Sequence, residues 1–177
     1  MNPPDVGALR PHPRIVSVST DMWYAFLETK GSRMPASRPI HPDFRKHLDR
    51  KDEALIELFT DLRAFILELH PDSNELLYHT HALTAVFSVS EKLTDAFCML
   101  PIYTAHVNLG FNKGTLLDDP HARLKGTGNL IRHIPVTQAS DYRNANVTAL
   151  VKAAFDFAVN DLDAPNTARA KTISKIK

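Results

Sequence analysis

Residues 106–111, which read His-Val-Asn-Leu-Gly-Phe, and residues 124–134, which read Leu-Lys-Gly-Thr-Gly-Asn-Leu-Ile-Arg-His-Ile, carry the strongest signal for the architecture of this chain. The first predicts a strand with a glycine near its end. The second predicts a turn with two glycines and then another strand. We expect Gly126 and Gly128 to supply the positive φ that a tight turn requires. The combination indicates a closely specified surface feature, and it identifies no reaction by itself.

Short apolar segments around this feature are typical of strands in one sheet. They are separated by Ser90-Glu91-Lys92 and by Pro101. Short strands with such brief connections predict an antiparallel meander. The expected strands cover residues 77–80, 85–89, 96–100, 103–111 and 130–135.

An amphipathic helix is expected before the strands, beginning at Asp49 or Asp52 and ending at Leu69. Its apolar residues recur every three or four positions, which predicts one buried stripe. Pro71 ends the helix, because the residue before a proline is biased away from helical geometry. The stripe consists of Leu55, Leu58, Phe59, Leu62, Phe65, Ile66 and Leu69.

A second long helix is expected after the strands, beginning between Ser140 and Asn146 and ending near Leu162. One or two helical turns are also expected over residues 119–124, where an Asp-Pro pair provides an N-cap and a first helical position. The chain therefore predicts an α+β fold. In this fold an antiparallel sheet of about five strands is covered on one face by the N- and C-terminal helices.

The length of 177 residues is typical of one domain with additional arms. Residues 1–46 hold seven of the twelve prolines, which predicts a proline-rich N-terminal arm without a long helix. Within it, the apolar residues 22–27 are expected to dock on the domain itself, with docking on a partner as the alternative. Residues 47–162 form the predicted domain, and residues 163–177 form a basic C-terminal tail.

The formal net charge of +1 conceals an uneven distribution. Residues 51–162 contain nine basic and fourteen acidic residues, whereas residues 1–50 contain eight basic and five acidic residues. An acidic domain argues against nucleic-acid binding, because such proteins concentrate Lys and Arg on the folded face that meets phosphate.

The single cysteine, Cys98, excludes an intrachain disulfide and fits a reducing compartment. The longest apolar run is broken by Pro101 and is much shorter than the roughly 20 residues of a membrane span. The first residues do not show the charged-then-apolar order of a secretory signal. The sequence therefore predicts a soluble cytoplasmic protein without a membrane partner, and it leaves organelle import open.

From about residue 52 to residue 162 the chain resembles the YdhG-like family of small, mostly bacterial domains of unknown function. The resemblance rests on the strand at 106–111, on the Gly126-Thr127-Gly128 turn with Arg132-His133-Ile134, and on the two amphipathic helices. It implies a frataxin-like sandwich of two helices on one sheet. Because one family member is regarded as an iron chaperone, it also implies iron handling with an iron-accepting protein as partner. Residues 78–83 depart from the family's usual hairpin pattern.

Two groups of residues are candidates for binding a metal. Glu53, Glu57 and Asp61 repeat every four positions, so their carboxylates are expected to line one helix ridge that holds iron weakly and exchangeably. The alternative for this ridge is a solvated helix face. The second group is His79, His81 and His106, which would form a metal site if neighbouring strands brought their imidazoles together.

Lys125, Arg132 and His133 are candidates for binding a small anion or an acidic segment of a partner. The Gly126-x-Gly128 turn precedes a strand, whereas a dinucleotide-binding glycine motif follows a strand and opens a helix, so a phosphate loop is excluded. The alternative is that each cation pairs with local groups.

Catalytic motifs of the Ser-His-Asp, His-Glu-x-x-His and Cys-x-x-Cys types are absent from the sequence, which gives enzyme chemistry no support. The leading hypothesis is therefore an accessory metal-handling protein that binds iron on the ridge of Glu53, Glu57 and Asp61. The alternative is a metal-free binding module for a small anion or an acidic partner segment.

Overall fold

A computed structural model describes residues 38–164 and 166–177, and the apolar patch at 22–27 lies outside them. Within the described residues the chain forms three α-helices and six strands. In chain order these are α1 Pro42–Leu48, α2 Glu53–Leu69, β1 Asn74–His79, β2 Leu83–Ser88, β3 Ala96–Ile102, β4 Val107–Phe111, β5 Arg132–Val136, α3 Ala145–Asn160 and β6 Thr172–Ser174.

Capping side chains set where the two long helices begin. The Asp52 carboxylate accepts a hydrogen bond from the Ala54 amide, and the Asn144 side chain accepts one from the Val147 amide, each over 3.0 Å. Such bonds satisfy amide groups that have no partner inside the helix. The predicted start of α2 and the predicted window for the start of α3 are therefore confirmed.

The sheet has the strand order β5-β4-β3-β2-β1-β6. Neighbours from β1 to β5 are antiparallel, as expected for a meander. The sixth strand runs parallel to β1, with Glu75 opposite Thr172 and Leu77 opposite Ser174. The expected sheet of about five antiparallel strands is therefore corrected to a mixed sheet of six. The additional strand comes from residues 163–177, which the sequence indicated as a tail.

All three helices pack on the same face of the sheet. Leu77, Ala85 and Leu100 are register neighbours in β1, β2 and β3, and they belong to one buried cluster with residues of the helices. Leu76 and Val86, the adjacent register pair of β1 and β2, belong to a separate cluster on the other face, because side chains alternate between the faces of a sheet. Phe44 of α1 is also in the main cluster, so the domain includes residues that the sequence assigned to the arm.

The expected short helix at 119–124 is wrong. The Asp119 carboxylate accepts hydrogen bonds from the amides of Arg123 and Leu124, and Ala122 has a positive φ of 50°. A side chain that bonds its own following backbone competes with helix formation, and a left-handed residue ends a helix. Of the two glycines in the predicted turn, Gly126 has a positive φ, of 110°, and Gly128 does not.

None of the helices in the part of the chain that the structure describes has the length and hydrophobicity needed to cross a membrane.

A buried ion pair joins α2 to the sheet. The Arg63 guanidinium donates to both carboxylate oxygens of Glu75, over 2.7 and 2.8 Å, and the two side chains are 8% and 2% exposed. Arg63 also donates to the carbonyl oxygens of Arg38 and Pro39, and Glu75 accepts from the Thr172 hydroxyl. The pair therefore holds together α2, β1, β6 and the segment before α1.

Replacing one member of this pair is expected to destabilise the domain strongly. Because Arg63→Ala or Glu75→Ala leaves an unpaired buried charge, we expect a loss of about 3–5 kcal/mol in the free energy of unfolding. Urea unfolding followed by circular dichroism measures this loss. The double variant Arg63→Met, Glu75→Leu should recover most of it, because no charge remains buried.

The exposed pair of Arg45 and Asp49 provides the control. Arg45→Ala should change the stability little, since exposed ion pairs contribute little. If the single variants of the buried pair lost no more stability than Arg45→Ala, the buried pair would not have the structural role assigned to it.

Candidate functional site

The structure places the three acids of the expected metal ridge in different environments. Glu53 and Glu57 are exposed on α2. Asp61 is bound by Arg143, which donates to both carboxylate oxygens over 2.8 Å and also contacts Glu68 over 3.0 Å. The third carboxylate of the ridge is therefore neutralised by a cation of the same chain.

Hydrogen bonding from Arg143 lowers the pKa of the Asp61 carboxyl, and a second hydrogen bond from the Tyr142 hydroxyl acts in the same direction. Burial and the hydrogen bond to Asp61 raise the pKa of Tyr142. Among the described residues, no group of three or more His, Cys, Asp or Glu is placed to hold a metal ion. Iron binding on Glu53, Glu57 and Asp61 stays a prediction.

The structure does not bring the expected histidines together. His79 ends β1 and His106 precedes β4, and two strands lie between β1 and β4 in the sheet. His106 stacks on Tyr103 with ring centroids 4.7 Å apart, and His81 is exposed in the turn after β1. The expected histidine site is therefore wrong, because it required the strand of His106 to lie next to the strand of His79.

The ring that does meet His79 belongs to His47 of α1, with centroids 4.1 Å apart. Partial burial lowers the pKa of His47, and the neighbouring His79 adds to this effect. This contact could not be expected from the sequence, because α1 is a helix of seven residues that begins in the proline-rich segment, where only a long helix is excluded.

The structure does bring together Lys125, Arg132 and His133. Lys125 and His133 form a two-residue antiparallel bridge with N–H···O distances of 2.8 and 3.0 Å. Their side chains therefore lie on one side of this bridge, and that of Arg132 lies on the other. Arg132 donates through Nη1 to the carbonyl oxygens of Gly128 and Ile131, over 2.5 and 2.8 Å. Its guanidinium thus fixes the loop before β5.

Three large aliphatic side chains are exposed in the same region. Leu116, Leu130 and Ile131 are 55%, 50% and 49% exposed. The Thr115 amide donates to the Leu130 carbonyl over 3.0 Å, which holds the turn at residues 114–116 against the segment before β5. We call Leu116, Leu130 and Ile131, together with Arg132, which follows them in the chain, and Lys125 on the other side of the bridge, the loop surface.

The loop surface is held in one conformation by close packing as well as by hydrogen bonds. A Cβ atom added to Gly114 would lie 2.5 Å from the Cβ of Arg132 and 2.9 Å from its backbone nitrogen. Only glycine permits so close an approach of two backbone segments. The exposed aliphatic side chains therefore stand on a supported loop.

Sequence reasoning missed the aliphatic part of this surface. Leu130 and Ile131 were assigned to a strand, where alternation would have buried one of them, but β5 begins only at Arg132. One signal was available in the sequence. Both residues follow closely on the glycine turn and precede Arg132, so they could have been assigned to the loop before the strand. Aliphatic side chains beside two cations can bind a ligand that is partly apolar and partly anionic.

Comparison with known proteins gives one result. The model of a family described as a domain of unknown function (DUF5655) matches residues 45–158. No curated protein and no solved structure matches the chain. The matched range begins in α1, ends in α3 and contains the whole loop surface. Nothing in it tests the resemblance to the YdhG-like family, which stays a prediction.

The contact between Arg143 and Asp61 predicts how stability depends on pH. The folded pKa of Asp61 is depressed, so its contribution is fully present above the ordinary pKa of about 3.9 and is lost as the pH falls through the lower, folded value. In Arg143→Gln, we expect the titration midpoint of the Asp61 carboxyl carbon, measured by NMR, to rise toward the ordinary value.

The variant Arg45→Gln serves as the control, because Arg45 pairs with Asp49 and not with Asp61. Its Asp61 midpoint should equal that of the unaltered protein. Equal midpoints in Arg143→Gln and Arg45→Gln would show that Arg143 does not set the pKa of Asp61.

Proposed function

The chain belongs to the DUF5655 family, a domain of unknown function, and we propose that it is a metal-free binding module that recognises an acidic segment of a partner protein through its loop surface. The observation that carries this proposal is the clustering of exposed aliphatic side chains next to Lys125 and Arg132. Five large hydrophobic residues are exposed in the described part of the chain, and three of them belong to this surface.

Exposed aliphatic side chains that occur singly need no explanation, but adjacent ones on a supported loop are a feature of interaction sites. The loop beneath Leu116, Leu130 and Ile131 is fixed by the Arg132 and Thr115 hydrogen bonds. Little conformational entropy would therefore be lost in the loop on binding. This supports recognition of a partner by a surface that exists before the partner arrives.

The charge distribution supports an acidic occupant. Residues 51–162 have five more acidic than basic residues, whereas the segment that holds Leu130 and Ile131 is preceded by Lys125 and followed by Arg132. An acidic segment would be repelled by most of the domain and attracted to this loop, which favours one orientation of binding. A guanidinium has five N–H donors, and the loop carbonyls of Gly128 and Ile131 use only Nη1 of Arg132.

An acidic protein segment fits these observations better than an anionic membrane. Attraction of Lys and Arg to such a membrane amounts to about 1 kcal/mol for each basic residue, so stable binding requires a cluster of several. Lys125 and Arg132 are two, on an otherwise acidic domain. A small anion bound by Lys125, Arg132 and His133 would not use the aliphatic side chains, so it explains less of the surface.

The iron-binding alternative has weaker support, because Arg143 already occupies the Asp61 carboxylate. It is tested independently by anaerobic ferrous titration. Saturable binding that disappears in Glu57→Lys, Asp61→Lys would favour a metal-handling role with an iron-accepting partner, and the absence of a heat signal would remove it.

The proposal predicts selection of acidic, partly apolar peptides. The unaltered protein, probed with an array of 12-residue peptides that vary in Glu and Leu content, should retain peptides rich in both. Fluorescence anisotropy then measures their affinity. Leu130→Ser, Ile131→Ser should weaken binding by roughly tenfold or more, as expected for residues at the centre of an interface. Lys125→Glu should weaken binding and reduce its dependence on salt.

Leu93→Ser is the matched control, because Leu93 is 46% exposed and lies outside the loop surface. It should bind the selected peptides as the unaltered protein does. Retention of basic peptides, or equal losses in Leu93→Ser and in the loop variant, would contradict the proposal. Two other results would also contradict it: loop-dependent binding to vesicles of mixed neutral and anionic lipid without peptide binding, and loop-dependent dimerisation in sedimentation.

A further inference from the structure

A second candidate site lies at the end of α2, far along the chain from the residues of the loop surface. An open cleft of about 680 Å³ is lined by the segment 69–73, by Phe155 of α3 and by Asn166, Ala168 and Arg169. Clefts that bind small molecules in proteins have volumes of roughly 300–1,000 Å³. None of its lining residues belongs to the loop surface, so the cleft requires an explanation of its own.

The cleft has an aromatic wall. The rings of His70 and Phe155 stack with centroids 4.0 Å apart and planes 13° apart, and both rings line the cleft. Phe97 braces them from the core, with edge contacts at 5.4 Å to His70 and 5.3 Å to Phe155. Because the two rings cover one face of each other, the stack offers another ring its outer face and its edges for packing.

His70 contributes to this wall as a neutral ring. Burial lowers its pKa to about 4, with a smaller opposing effect from Asp156 and a further lowering by Lys152. Its Nε2 atom is buried and has no hydrogen-bond partner among the described residues, so the doubly protonated ring would bury an unsatisfied donor there. At neutral pH the wall is therefore aromatic and uncharged.

The segment 166–169 contributes the arginine of the lining and is fixed to the sheet. The amides of Arg169 and Lys171 both donate to the Asn74 side-chain oxygen, over 3.0 and 3.1 Å, and the Ala170 amide donates to the Asp72 carbonyl over 2.8 Å. Arg169 donates through Nη1 to the Ala168 carbonyl over 2.6 Å. The guanidinium is thus held at the cleft by its own backbone, which makes the site largely preformed.

From this geometry we infer that the cleft binds a small planar aromatic molecule with a single anionic group, its ring against Phe155 and His70 and its anion on Arg169. A flat ring matches the stacked wall, and a carboxylate or similar group matches the planar guanidinium. Asp72 also lines the cleft, and its negative charge disfavours a dianion or a polyphosphate. The site goes beyond the proposed partner recognition and does not depend on it.

The test uses 2-naphthoate as the probe and the complete chain as the protein. Three matched compounds separate the contributions: 2-naphthamide lacks the charge, cyclohexanecarboxylate lacks the aromatic ring, and naphthalene-2,6-dicarboxylate has a second charge. We expect saturation-transfer NMR to show 2-naphthoate binding more tightly than each of them. The ring protons of His70 should shift during the titration.

Variants of Arg169 and Phe155 then test which residue contacts the carboxylate of the probe and which contacts its ring. Arg169→Gln should weaken 2-naphthoate binding by roughly tenfold and leave 2-naphthamide binding unchanged, because only the charged hydrogen bond is lost. Phe155→Leu should weaken both compounds. Because Phe155 also packs on Phe97, the thermal unfolding midpoint of Phe155→Leu is measured first, to show that the variant is folded. At the other residue, the exposed Arg169, the conservative change Arg169→Lys keeps the positive charge. Arg169→Lys should retain part of the binding.

Arg50→Gln, at an exposed arginine away from the cleft, should bind 2-naphthoate as the unaltered protein does. The loop variant Leu130→Ser, Ile131→Ser should also bind it normally, which distinguishes this site from the proposed partner surface. The inference is overturned if 2-naphthoate shows no saturation transfer, if cyclohexanecarboxylate binds equally well, or if Arg50→Gln loses as much binding as Arg169→Gln.

Discussion

The buried pair of Arg63 and Glu75 is the interaction on which the arrangement of the remaining segments depends. Two charges can be removed from water only if the structure supplies all their hydrogen bonds, and these come from segments distant in sequence. Arg63 requires the carbonyls of Arg38 and Pro39, and Glu75 requires the hydroxyl of Thr172. The pair thus contacts β6, the parallel neighbour of β1, and the segment before α1 at the same time.

Periodic elements were predictable from sequence, whereas elements recruited by such buried groups were not. The apolar stripe of α2 is a local signal, and it placed this helix correctly, as the expected window for the start of α3 contains its first residue, Ala145. The strand β6 has three residues, too few for alternation to be recognised, and its partner β1, with Glu75 bound to Thr172, lies 97 positions earlier. The helix expected at residues 119–124 is wrong for a different reason. A side chain that accepts hydrogen bonds from the amides that follow it, as Asp119 does, occurs in irregular turns as well as at the start of a helix.

The candidate sites likewise divide into those that local sequence predicts and those that depend on contacts between residues distant in the chain. The proximity of Lys125, Arg132 and His133 followed from a glycine turn between short segments, which is local information. That Arg143 binds Asp61, 82 residues away, could not be read from the spacing of acids on a helix. Spacing shows which side chains share a face, but it does not show which cation already occupies them. The expected iron ridge depended on which cation contacts Asp61. The expected histidine site depended on the order of the strands in the sheet, which spacing also does not show.

Both proposed sites consist largely of irregular backbone held by side-chain hydrogen bonds. In the loop surface a guanidinium binds the carbonyls of Gly128 and Ile131, and beside the cleft the Asn74 side-chain oxygen accepts from the backbone amides of Arg169 and Lys171. Regular elements use their apolar faces for the core, so few of their side chains remain for ligands. A segment outside them can present apolar groups to solvent only if its backbone is satisfied locally. The same bonds that make these segments hard to predict therefore make them suitable for recognition.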